Sequence, residues 1–275
     1  MQIPQACRIH LLASCLPVLV LSFAAAGFAA PGPVQSFDTK AGPVKITPIY
    51  HAAAMIEAGG DRIYIDPAKP ANIAGLAPGD LILITDIHGD HMDAADVAAL
   101  SNAQTLVVAP AAVQQTVTGA KVLANGESMT WRKWKITAVP MYNIKHTMPN
   151  GTPYHTKGRG NGYVLSYGGK NFYFAGDTEG TPEMLALKDI DVAFIPMNLP
   201  YTMTPDEAAD AVKAFRPKIV IPYHDKGSDV QKFADDLKGS GIEVRLLDWY
   251  SNTMPPSSPR VTPPAEMPRP TTGAM

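Results

Sequence analysis

Beyond residue 15 this chain of 275 residues has no cysteine, its two being Cys7 and Cys15. Disulfides and thiolate ligands are thereby excluded from nearly all of it. Any metal site there must be built from imidazole and carboxylate, donors that suit zinc, iron or manganese. An excess of either charge is also lacking: the formal net charge is −2 and no basic stripe stands out, so nucleic acid is not an expected partner. Trp131 and Trp134 bracket Arg132 and Lys133, but a half-buried strand explains that pattern better than a base-stacking patch does. A serine nucleophile in a Gly-x-Ser-x-Gly turn is missing as well, which removes the commonest alternative to metal-assisted hydrolysis.

Long apolar runs are confined to residues 11–28, which follow a polar stretch carrying Arg8 and precede the small residues Ala29 and Ala30 and then Pro31-Gly32-Pro33. That order predicts a secretory signal over residues 1–29 and an exported protein, periplasmic or secreted, with no stable membrane anchor. Residues 254–275 are dominated by Pro, Ser and Thr and offer no apolar period to bury, so a disordered tail is expected. The remaining stretch, 34–252, suffices for one well-buried domain.

Within it, short β-rich runs come first, followed by alternating strands and helices. Strands are predicted at 44–50, 62–65, 80–85, 105–109, 133–139, 162–167, 171–175, 192–196, 218–222 and 243–247. The continuous apolar run Leu81-Ile82-Leu83-Ile84 fits a strand covered on both faces. Gly168-Gly169-Lys170 is a hairpin signal. Helices are predicted at 93–100, 182–187, 205–215 and 228–237. The third is the clearest, with Thr204 as its cap, Pro205 in its first turn and Glu207 completing a capping box.

The chemistry concentrates in Thr85-Asp86-Ile87-His88-Gly89-Asp90-His91, between a predicted strand and a predicted helix. Asp86, His88, Asp90 and His91 crowd four potential ligands into one turn, more than ordinary turn chemistry calls for. The segment resembles the metallo-β-lactamase superfamily signature Thr-His-x-His-x-Asp-His, with Asp86 in place of the first His. Other stretches resemble that superfamily in its own order: Ile63-Tyr64-Ile65-Asp66-Pro67, then His155 before Gly158-Arg159-Gly160-Asn161-Gly162-Tyr163, then Phe174-Ala175-Gly176-Asp177-Thr178, then Ile219-Val220-Ile221-Pro222-Tyr223-His224.

The resemblance implies an αββα sandwich of two mixed β sheets with outer helices. It also implies two divalent metal ions, zinc by preference with manganese or iron as alternatives. By the same likeness Asp86, His88 and His155 would hold one ion and Asp90, His91 and His224 the other, with Asp177 bridging and Asp90 orienting a water or collecting its proton. Such a pair brings a bound water's pKa to roughly 7. Asp86 is a harder ligand than imidazole and would shift preference towards iron or manganese, or leave its site weakly held.

Several nearby residues have two readings. His146 competes with His155 for the third-motif role. His51 resembles a superfamily histidine near the site but suits a hydrogen-bonded core equally, and Asp66 either orients a ligand or turns the chain. Lys157, Arg159, Asn198, Tyr201 and Tyr223 flank the expected ligands and could meet a polar substrate. The nearest branches by motif are the lactonase-like and ribonuclease-Z-like bacterial hydrolases, and the expected partner is a small molecule: an ester, lactone, amide or phosphoester. β-Lactams are disfavoured by the missing cysteine ligand and by Asp86. The alternatives are a di-iron redox protein on the same fold and a non-catalytic metal-binding scaffold.

Overall fold

The computed structural model describes residues 34–250; the expected signal at 1–29 and tail at 254–275 lie outside the described residues. Two seven-stranded sheets stack face to face. The first holds β1 (Gln35–Phe37), β2 (Val44–Tyr50), β3 (Ala53–Ala58), β4 (Asp61–Ile65), β5 (Leu81–Leu83), β6 (Leu106–Ala109) and β7 (Lys121–Val122) in chain order. The second holds β8 (Ser128–Trp131), β9 (Trp134–Met141), β10 (Gly160–Tyr167), β11 (Lys170–Phe174), β12 (Val192–Pro196), β13 (Ile219–Tyr223) and β14 (Glu243–Val244), again each beside the next. Each sheet is mixed. The first is antiparallel up to β4 and parallel beyond it, and the second is antiparallel up to β11 and parallel beyond it.

The change from antiparallel to parallel follows the connections. Gly168 and Gly169 form a two-residue loop between Tyr167 and its partner Lys170, with φ of +56° and +83°. Positive φ at both loop residues matches the twist of paired strands and is what glycine supplies cheaply. Gly59 and Gly60 do the same between Ala58 and Asp61. Parallel neighbours need longer crossovers, and α1 (Ala94–Ala99), α2 (Pro182–Leu185) and α3 (Pro205–Phe215) lie in them, with α4 (Val230–Asp236) before β14.

Leu81, Ile82, Leu83 and Ile84 are all fully buried because successive side chains serve different layers. Leu81 and Leu83 face the space between the sheets with Ile46, Ile63, Phe172, Phe174 and Phe194, where the last two rings stack 4.2 Å apart. Ile82 and Ile84 pack outward against Val97 and Leu100 of the α1 layer. On the far face, α3 lays Ala208, Val212 and Phe215 over Tyr173, Ala193 and Ile195. The result is the αββα sandwich. At its amino end α3 shows the capping box, Thr204 accepting from the Glu207 N–H and Glu207 from the Thr204 N–H.

Several strand readings change: β1, β7 and β8 have no counterpart in the sequence reading, and β14 ends at Val244, short of 247. β5 ends at Leu83, short of 85, because the Thr85 N–H donates to Asp66 Oδ1 at 2.7 Å and leaves the ladder for the functional loop. β3 is the longest strand without a counterpart in the sequence reading; its run Ala53-Ala54-Met55-Ile56-Glu57-Ala58 is alanine-rich and weak in β propensity, and Gly59-Gly60 was the available signal.

Candidate metal centre

β2 and β4 run parallel, each antiparallel to β3, and β5 is parallel to β4, so the carboxyl ends of all three share one edge. That edge carries His51 after β2, Asp66 after β4 and Thr85 to His91 after β5. In the second sheet the start of β10 and the ends of β11 and β13 share an edge, which carries His155, Asp177 and His224. The two edges meet. His51, Asp66 and His224 hold left-handed φ of +55°, +45° and +47°. Such conformations cost side-chain-bearing residues about 1–3 kcal/mol each and cluster at functional sites.

Asp177 lies at the centre, 2% exposed. Its Oδ2 is 3.2 Å from His91 Nε2 and 3.2 Å from His155 Nε2, and its Oδ1 is 3.2 Å from His224 Nε2. Asp90 reaches in from the mouth, 3.4 Å from both His51 Nε2 and His224 Nε2 and 3.9 Å from His91 Nε2. Asp86 is 3.1 Å from His88 Nδ1 and 3.9 Å from His155 Nε2. The donor atoms fall into three groups, the last two sharing His224: Asp86, His88 and His155; His91, Asp177 and His224; and His51, Asp90 and His224. The first group matches the sequence assignment. The second joins His91 and His224 to Asp177, and the third sets Asp90 beside His224 together with His51.

Burial works against a charged His91, yet Asp177 and Asp66 hold its imidazole well above the usual range. Burial likewise opposes the Asp177 carboxylate, but His224 and His91 hold it well below the usual carboxylate range. His51 is lowered, chiefly by burial. Buried His91 Nε2, Asp177 Oδ1 and both ring nitrogens of His224 have no hydrogen-bond partner among the described residues, a condition that costs stability unless something else satisfies them. Nitrogen and oxygen donors converging on one point, with lone pairs unspent, fit a divalent cation.

Outer contacts aim these donors. Asp66, fully buried, accepts from the Thr85 N–H, from Thr85 Oγ1 at 2.6 Å and from His91 Nδ1 at 2.8 Å, which leaves His91 Nε2 facing Asp177. Asn143 Oδ1 accepts from the His155 N–H at 2.7 Å and from His155 Nδ1 at 2.9 Å, freeing Nε2 in the same way. The Asn143 amide donates to Glu179 at 3.0 Å and to the Tyr201 carbonyl at 2.8 Å. Neither Asn143 nor Glu179 stood out in the sequence, because nothing local links them to His155.

The flanking residues divide. Tyr201 is 45% exposed and stands edge-on to Tyr154, an aromatic wall beside His155. Asn198 shapes the turn below it, its carbonyl accepting from the Tyr201 N–H at 2.9 Å. Lys157 pairs with Glu183 over the Tyr142 ring. Tyr223 cannot meet a substrate, since it is fully buried with its Oη accepting from the Gly176 N–H at 2.7 Å. Trp134 is a core residue bonded to Asp61, and Trp131 carries Arg132 over its ring.

His146 points away from the cluster, its Nε2 2.9 Å from Glu207 at the start of α3. Burial pushes the Glu207 carboxyl up, but the Thr204 N–H, His146 and Lys145 outweigh it and lower the carboxyl from 4.5 to about 2. Because the folded value lies below the unfolded one, the stability that Glu207 contributes is fully present above the unfolded value and is lost as pH falls through that window. Glu207→Gln is therefore expected to unfold at lower denaturant than wild type near neutral pH, with the two midpoints converging in acid. A gap independent of pH would show that the carboxylate charge contributes nothing.

A model of the β-lactamase superfamily domain matches residues 45–224. The chain belongs to the metallo-β-lactamase superfamily. A UPF0173 metal-dependent hydrolase of Thermus thermophilus is 33% identical over 224 residues, covering 74% of this chain and 96% of the relative. A crystal structure of a candidate metal-dependent hydrolase from Parabacteroides distasonis superposes with a TM-score of 0.75 at 41% identity, over 78% of this chain and 98% of that one. A diiron β-hydroxylase of Streptomyces venezuelae, CmlA, shares the fold alone, with a TM-score of 0.53 at 17% identity over 70% of this chain and 45% of its own. The superfamily motifs thus sit where its fold brings two strand edges together.

Proposed function

We infer that this metal-dependent hydrolase is an exported enzyme that cleaves an ester, lactone, amide or phosphoester in a small molecule at a two-metal centre. The observation that carries the reading is the buried Asp177, ringed by three imidazole nitrogens at 3.2 Å, with neighbouring donor atoms left without partners. His91, Asp177, His224 and Asp90 would hold one cation, and Asp86, His88 and His155 the other. Bound there, a divalent cation supplies polarisation of the substrate's carbonyl or phosphoryl oxygen and acidification of a water.

The chain's own residues do the rest. Asp66 and Asn143 fix the ring orientations of His91 and His155, so their Nε2 atoms need no rearrangement when the site fills. Asp90, its side chain 44% exposed at the mouth, is placed to orient the attacking water or take its proton. Burial pushes the Asp90 carboxyl up, and the imidazoles of His224 and His51, each 3.4 Å away, pull it well below the usual range. The aromatic pair Tyr154 and Tyr201 offers an apolar wall to the substrate's non-reacting part. The residue order before Pro31 supports export. No helix of the described residues is long and apolar enough to cross a membrane.

The test is metal content of the purified protein by mass spectrometry, with turnover screened over lactones, phosphodiesters and β-lactams. Zinc or manganese with hydrolysis is the expected result. Iron without hydrolysis would replace this reading by redox chemistry, and a protein that retains no metal would end both.

A further inference from the structure

Asp86 is where the chain departs from its superfamily's signature, and it is also where a fixed positive charge has already been placed. Its carboxylate is fully buried and held by Arg159 in a two-point fork, Nε to Oδ1 at 3.1 Å and Nη2 to Oδ2 at 2.8 Å. The same Nη2 lies 3.5 Å from His88 Nδ1, a second donor of the group. Arg159 comes from the glycine-rich turn before β10, with its side chain 23% exposed, so the guanidinium sits between the Asp86 group and solvent.

The two halves of the centre therefore differ in charge. The Asp86, His88 and His155 group has one carboxylate of its own, and the Arg159 guanidinium matches its charge. The half around His91 and His224 has Asp90, whose ion pairs among the described residues are all with histidine, and the two halves share Asp177, whose Oδ2 lies 3.2 Å from both His91 Nε2 and His155 Nε2. A dication entering the second half meets Asp90 and Asp177. One entering the first half shares Asp177 and otherwise meets an anion already engaged by a cation, and must share Asp86 with Arg159 or displace it. The bidentate fork makes displacement expensive, because it breaks two charge-assisted bonds at a buried oxygen pair.

We propose that Arg159 makes the centre unequal, so that one divalent cation binds tightly at Asp177, His91, His224 and Asp90 while the Asp86 position takes a second one weakly and exchangeably. This rests on the metal-centre reading above and adds that Arg159, rather than the Asp86 ligand alone, sets the gap. Arg159 is thus a positioning residue for metal occupancy.

The experiment is a titration of the chelator-stripped full-length protein with Zn2+ alone, in competition with a chromophoric chelator, reading equivalents and affinities without any substrate. Wild type is expected to bind one tight equivalent and a second weaker by roughly the 10- to 100-fold that outer partners of metal ligands control. Arg159→Met should narrow that gap, and Arg159→Lys, which keeps a charge, should preserve most of it. Arg159→Gln keeps a hydrogen-bond donor for Asp86 without the charge. It should narrow the gap too, and it serves if the methionine variant fails to fold. Two equal equivalents in wild type, or an unchanged gap in a folded neutral variant, would overturn the proposal and leave the hydrolase reading standing. No binding at either position would overturn both.

Discussion

Asp177→Ala is expected to abolish metal retention and turnover together. Asp177 is the carboxylate within 3.2 Å of His91, His155 and His224, and without it three buried imidazoles face one another with no anion between them. A cation loses the negative charge that offsets the cost of leaving water, in a place where burial magnifies that cost. The loss should exceed the roughly 10- to 100-fold typical when only an outer partner of a ligand is removed. Metal content after dialysis and turnover of the same sample read the effect, with a melting curve to show that the variant is folded. Unchanged turnover would rule out the central role of Asp177.

Asp66→Ala should be the most damaging change to stability. Asp66 is fully buried and accepts three short hydrogen bonds, from the Thr85 N–H, Thr85 Oγ1 and His91 Nδ1. Removing it strands those donors in the interior and takes an anion from His91, whose imidazole Asp177 and Asp66 hold well above its usual range against the effect of burial. Breaking a buried ion pair from one side costs about 3–5 kcal/mol, and the urea midpoint should fall accordingly. Asp66→Asn keeps the shape and loses the charge. It is expected to fold and to bind metal about 10- to 100-fold more weakly, because the orientation of His91 is no longer enforced. An unchanged midpoint in the alanine variant would mean that Asp66 merely turns the chain into Pro67.

Much of this was legible along the chain because it rests on short-range physics. The two-layer burial of Leu81 to Ile84 follows from the alternation of side chains along a strand, so an uninterrupted apolar run reads as a strand covered on both faces. Thr204, Pro205 and Glu207 fix the start of α3 within four residues. Four ligand-type residues between 86 and 91 mark a site because one tight turn brings them within reach of one another.

What failed was either too weak locally or not local at all. β3 was hidden by alanine, and Tyr223 looked available because its neighbour His224 is at the site, although strand alternation turns its ring into the core. His146 and His155 lie on one loop region; the Gly-rich turn after His155 already favours it as the ligand, and the packing of the loop sends His146 to Glu207 and His155 to Asp177.

The sequence by itself determined the donors, the absence of thiols beyond residue 15, the caps and most of the strands, because propensity, periodicity and ligand chemistry act over a few residues. Only the tertiary structure decided the partners: Arg159 with Asp86 across 73 positions, Asn143 with His155, His51 with Asp90. Such pairs depend on which strand ends share an edge and how two sheets meet, and that is set by the packing of the whole core rather than by any segment within it.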